Sequence, residues 1–168
     1  AVIHVNRIIS YYLEQSAELD KVLNIFIRVN SGGTTLSYYD LLLSFATAQW
    51  ETRDAREEIN EFIDEINQIG RGFNISKDIV LKACLLLCDI SDISFKVDNF
   101  NRTNMLLIEK EWDNITKAIR DAVTLISSFG FSRENITSNN LMIPVAYYLK
   151  TIGLPNNFET STSRIGDR

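Results

Sequence analysis

Few residues in this chain have both the type and the spacing to do chemistry. Cys84 and Cys88 lie one helical turn apart in Ala83-Cys84-Leu85-Leu86-Leu87-Cys88. A thiolate zinc site needs four ligands. The chain has no other cysteine and a single histidine, His4. The pair therefore reads as two buried small apolar residues of a reduced protein. His4 alone cannot build a histidine-based triad or a two-histidine metal site, and reads as a helix-surface or interface residue. Glu57, Glu58, Glu61, Asp64 and Glu65 fall at helical spacing. A hard-cation site wants oxygens converging from several elements, so one helix face of carboxylates reads as a solvated face, partly balanced by Arg53 and Arg56. No catalytic residue and no metal ligand is expected.

The most informative stretch runs Phe26-Ile27-Arg28-Val29-Asn30-Ser31-Gly32-Gly33-Thr34-Thr35-Leu36-Ser37. Asn30 lies four residues after Phe26, on an otherwise apolar stripe, so if buried it needs a specific partner. Gly32 and Gly33 stop that helix and allow positive φ or close approach of another group. Ser37 caps the next helix, with Asp40 three residues on as in a capping box. The exposed N–H groups there could receive an anion. No strand and no Gly-x-x-x-x-Gly-Lys accompany the turn, so it is not a phosphate loop.

The remaining candidates have structural readings. Tyr11-Tyr12, Tyr38-Tyr39 and Tyr147-Tyr148 lack interleaved basic residues, except Lys150, so core and rim packing is expected rather than base stacking. Within each pair one ring can face the core. The sequons at Asn74, Asn101, Asn114 and Asn135 are explained by chance and capping chemistry. The net charge of −5 argues against these residues gripping nucleic acid by themselves, since that needs a basic surface; a local basic patch is compatible with it. No apolar run reaches the length of a membrane span, and a cytoplasmic setting is expected.

Positioning these residues requires helices. The 168 residues predict a compact all-α orthogonal bundle of about seven helices with little or no sheet. A single helical domain or subdomain is expected over 1–155, part of a longer protein, followed by a polar tail or truncated connection over 156–168. The first helix carries Val2, Val5, Ile9, Tyr12 and Leu13. The second follows Ser16 and carries Leu19, Val22, Leu23 and Phe26. The third carries Leu41, Leu42, Phe45 and Trp50. The fourth spans about 54–69 with Ile59, Phe62, Ile63, Ile66 and Ile69, and ends at Gly70. Ser76 caps the fifth, with Ile79, Val80, Ala83, Cys84, Leu87 and Cys88 inward. After a polar loop over 91–102, Thr103 opens a long helix with Trp112, Ile115, Ile119, Val123 and Ile126 at steps of three and four, closed by Gly130. Ser138 opens the seventh, with Leu141, Val145, Tyr148, Leu149 and Ile152. Pro144 falls in its first turns, where a bend is expected.

The pattern Phe26-x-Arg28-Val29-Asn30-x-Gly32-Gly33-x-x-Leu36-Ser37-x-x-Asp40-Leu41 resembles the conserved segment of the GmrSD-type restriction enzyme N-terminal domain family, which has a ParB/sulfiredoxin-like part followed by helices. Trp112 to Ile119 and Leu141 to Leu149 resemble later helices of that family, so the resemblance covers about 16–152. It implies nucleotide-dependent defence against foreign or modified DNA. It also implies a nucleoside triphosphate and a divalent metal in the longer protein, and a His-Asn-His-type nuclease domain as neighbour or partner. The Asp-Gly-Gln-Arg-type motif of the nucleotide site is not in this sequence. The residues present resemble the helical portion that braces the ParB-like half, with Asn30, Gly32 and Gly33 adjacent to the site by motif match. The longer protein would be the nucleotide hydrolase or nuclease component, and these residues alone would be inactive. The alternative is a non-enzymatic helical interaction module.

Overall fold

The computed structural model describes residues 47–90 and 97–153, together with the isolated positions Lys21, Ile25 and Ser44. The chain divides into two compact units, Ala1–Tyr38 and Tyr39–Arg168. The second unit contains four described α-helices, α1 (Ala55–Asn67), α2 (Lys77–Leu87), α3 (Arg102–Ser128) and α4 (Met142–Ile152). Single 3₁₀ turns at Val97–Phe100 and Asn139–Leu141 precede α3 and α4, and there is no strand among the described residues. The architecture is all-α. These helices are the last four of the seven expected; the first three expected helices lie outside the described residues, apart from the helical positions named above.

Helix α3 is the spine. Its 27 residues extend about 40 Å at 1.5 Å per residue. Asn101 starts it one residue earlier than expected, accepting from the Asn104 N–H with its side chain. That bond satisfies one of the four N–H groups a helix start leaves open. The stripe Met105, Ile108, Trp112, Ile115, Ile119, Ala122, Val123 and Ile126 is buried. The far end closes in a Schellman turn: the N–H of Gly130 donates to Ser127 O and that of Phe131 to Ile126 O. Gly130 takes φ 86° there, the left-handed conformation this turn requires.

Helices α2 and α4 pack against α3 and against each other, and α1 covers α2 and α3. Helix α2 is apolar on most of its surface, burying Ile79, Val80, Leu81, Ala83, Cys84, Leu85 and Leu87. Cys84 is fully enclosed and Cys88 half-buried. Burial raises both thiols, Cys88 to about 11 even with Lys150 close by. Ser76 precedes α2 in extended conformation, but its hydroxyl engages Asp78 rather than a backbone N–H. At the other end Asp89 adopts φ 55°, and a second Schellman turn forms through Asp89 N–H to Leu86 O and Ile90 N–H to Leu85 O. The Tyr147 hydroxyl donates to the Asp89 carboxylate at 2.9 Å, which ties α4 to that turn.

The expected inward face of the last helix needs correction. Tyr148 is 48% and Leu141 46% exposed, while Met142, Ile143, Ala146 and Leu149 are buried. From Met142 to Leu149 the segment has no polar face, so periodicity could not set its phase. The Asn139–Leu141 turn, capped by the Ser138 side chain, then shifts the start of α4. Tyr147 and Tyr148 are both exposed, rather than one facing in. Pro144 is the third residue of α4, where a missing N–H costs no intrahelical bond.

Candidate functional site

Asn30, Gly32 and Gly33, the residues expected beside a site, lie outside the described residues, as do His4, Ser37 and Asp40. The strongest polar constellation among the described residues lies instead where the chain enters α1.

Glu109 sits on the buried side of α3 and is only 8% exposed. A lone buried carboxylate costs several kcal/mol unless it is hydrogen-bonded. Here the segment before α1 wraps around it. Oε1 accepts from the N–H groups of Thr52 at 2.7 Å and Arg53 at 3.0 Å, and from the Thr52 hydroxyl at 2.6 Å. The Glu51 N–H is shared between Oε2 at 3.0 Å and Oε1 at 3.2 Å. Burial alone would raise this carboxyl; the four donors outweigh it and hold Glu109 down at about 2. A group with that affinity for protons is a poor general base near neutral pH. The arrangement is a clasp, a backbone anion nest filled by a side chain of the same chain.

Polar contacts extend the clasp along the seam between α1 and α3. Asp54 caps α1, accepting from Arg56 and Glu57 N–H. Arg53 makes a two-pronged pair with Asp113 at 2.8 and 2.9 Å, and Arg102 pairs with Glu51. Trp112 is buried between Trp50 and Phe62, edge-to-face with each at centroid distances of 5.3 and 5.7 Å. Its ring N–H donates to Glu58 at 2.8 Å, as a buried indole requires. Arg120 lies over the Phe62 ring and pairs with Glu65, lowering that carboxyl through the hydrogen bond.

The acidic cluster thus splits. Glu57, Glu61 and Asp64 are exposed as expected. Glu65 is exposed too while pairing with Arg120; Glu58 turns partly into the seam to satisfy the Trp112 ring N–H, a correction to the reading of all five as solvated. The 230 Å³ cleft they border is lined by Arg120 and Trp112 as well as carboxylates. No grouping among the described residues could hold a metal ion. Two sequon asparagines have structural work: Asn101 caps α3, and Asn135 bonds Ser132 N–H and Gly130 O.

Glu109 was missed in the sequence, although a signal for it was present. It recurs with Met105, Trp112 and Thr116 at helical steps of four, three and four, a charge on a buried stripe. No known protein family matches the chain, and no curated protein matches it either. No helix among the described residues is long and apolar enough to cross a membrane.

Proposed function

We propose that these residues are the helical part of a GmrSD-like, nucleotide-dependent restriction or anti-phage defence protein. In this reading the parent protein acts in the cytoplasm on foreign or modified DNA. The observation that carries the reading is the Phe26–Leu41 pattern, with a polar Asn30 on an apolar stripe followed by Gly32-Gly33. The ParB-like half would supply the nucleotide site, with nucleoside triphosphate and divalent metal. A His-Asn-His-type nuclease domain would supply the cleavage. Asn30 would orient a group of that site, and the two glycines would let the backbone approach it. The helical architecture and the clasp at Glu109 support a bracing role for the described residues, because their most perturbed carboxylate is saturated by donors.

The test is Asn30→Ala in the protein that carries the ParB-like half, with nucleotide hydrolysis and thermal stability both measured. Loss of hydrolysis at unchanged stability is the expected result. Unchanged hydrolysis and unchanged stability would remove Asn30 from the site. A second reading, a non-enzymatic helical interaction module, is favoured by the exposed Phe129 and Phe131 beside arginines at one end of the bundle. It predicts that Asn30→Ala alters stability alone.

A further inference from the structure

Two turns meet at one end of the bundle. The turn after α1 contains Gly70, Arg71 and Gly72; the turn after α3 contains Gly130, Phe131 and Arg133. They are joined by the Arg133 N–H donating to Gly72 O at 2.8 Å. Between them is a cavity of about 350 Å³ lined by Gly70, Arg71, Ser127, Ser128, Gly130 and Phe131. That volume is at the small end of ligand pockets. The bareness of Gly70 keeps its floor open, since a Cβ there would lie 1.9 Å from Ser127 Oγ.

The arginines at this cavity differ from those along the α1–α3 seam. Arg53, Arg102 and Arg120 are each paired with a carboxylate. Arg71 and Arg133 are exposed and have no side-chain partner among the described residues. A Cβ on Gly72 would stand 3.8 Å from Arg133 Nη1, so both guanidinium-bearing residues flank the same turn. Phe129 and Phe131 are 57% and 40% exposed beside them. Exposed aromatics with arginine are the composition that interface cores favour.

We propose that this end of the bundle docks an acidic protein segment, with one apolar side chain in the cavity and flanking carboxylates on Arg71 and Arg133. Guanidinium and carboxylate match geometrically as two-pronged pairs. The observations favour a peptide over a nucleic acid strand. Among the described residues the positive charge there is confined to two side chains, while helix α1 presents exposed Glu61 and Asp64, and Glu134 follows Arg133 in the same turn. A strand with a phosphate at every nucleotide would meet those carboxylates; a segment with two acidic residues need not. The docking surface stands independently of the proposed function.

The test uses the whole chain and an array of short fluorescein-labelled peptides, each with one apolar residue between aspartates and the apolar residue varied. Matched peptides carry lysine for aspartate, and an oligothymidylate serves as the nucleic acid probe. Anisotropy is expected to show saturable binding to at least one acidic peptide and none to its lysine counterpart. Arg71→Glu and Arg133→Glu should each weaken it about tenfold, the effect of losing one charged interface contact. Both residues are exposed and have no side-chain partner among the described residues, so these variants should keep the wild-type circular dichroism. Phe131→Ser, which retains both charges, should weaken the same peptide. No binding across the array, or binding indifferent to all three variants, would overturn the proposal. So would tighter binding of the oligothymidylate, or sedimentation showing self-association that the same variants abolish, which would assign the surface to nucleic acid or to a second copy.

Discussion

Replacing Glu109 with glutamine removes one charge and leaves the shape of the side chain. One oxygen can still accept from the Thr52 and Arg53 N–H groups. The new amide would face the Glu51 N–H, donor against donor, and the remaining bonds would lose their charge assistance. The size of the effect follows from the carboxyl's displacement from an ordinary 4.5 to about 2. That gap, at about 1.4 kcal/mol per pH unit, sets a ceiling of about 3 kcal/mol. Donors at the rim are partly wet, which lowers the expectation to about 2 kcal/mol. The folded-state value is depressed, so this stabilisation is complete above about pH 5 and disappears as pH falls through about 2. Urea unfolding followed by the fluorescence of Trp50 and Trp112 measures it directly. Glu109→Gln should unfold about 2 kcal/mol more easily at pH 7, and the difference from wild type should close to within about half a kcal/mol at pH 2. A variant as stable as wild type at pH 7 would refute the clasp. So would a deficit that stays constant down to pH 2, because a steric or packing defect does not titrate.

Two further substitutions test how the turns are held. Gly70→Ala adds a methyl 1.9 Å from Ser127 Oγ at a backbone φ of +62°, and should cost about 2 kcal/mol in thermal unfolding from strain and crowding together. Adding Ser127→Ala should recover the crowding share alone, and full recovery would show that the left-handed φ costs nothing. Asn67 accepts from the Ile75 N–H at 2.7 Å and donates to Ile75 O at 3.0 Å, pinning the connection between α1 and α2. Asn67→Ala should destabilise by about 1–3 kcal/mol. It should also speed hydrogen exchange at the Ile75 amide more than at amides in the middle of α3; a uniform increase would mean that the bond holds no local structure.

How much of the fold was legible in the sequence depends on how one-sided each helix is. Helix α3 alternates apolar and polar residues cleanly, and its buried stripe matched expectation from Trp112 to Ile126. Helix α1 did so from Ile59 to Ile66. Helix α4 offers Met142-Ile143-Pro144-Val145-Ala146-Tyr147-Tyr148-Leu149 with no polar face, and its rotation was decided by packing on α2 and α3. The split in the acidic cluster was equally hidden. Nothing local to Glu58 sets it apart from Glu57 or Glu61; its partner Trp112 is 54 residues away.

Glu109 bears on how the proposed site should be tested. It satisfies the same sequence criterion that singled out Asn30, a polar group on an apolar helical stripe. Its partner proved to be backbone of the same chain, three consecutive N–H groups entering the next helix. The criterion therefore finds positions that need a specific partner and is silent on whether that partner is a ligand, another domain or the protein's own turn. The segment Ser31-Gly32-Gly33 offers backbone donors close to Asn30 in sequence, so a self-contained cap is the competing explanation there. The two explanations separate in one comparison. A cap is lost with stability, as at Glu109, whereas a residue that orients a ligand is lost with activity while the fold keeps its unfolding midpoint.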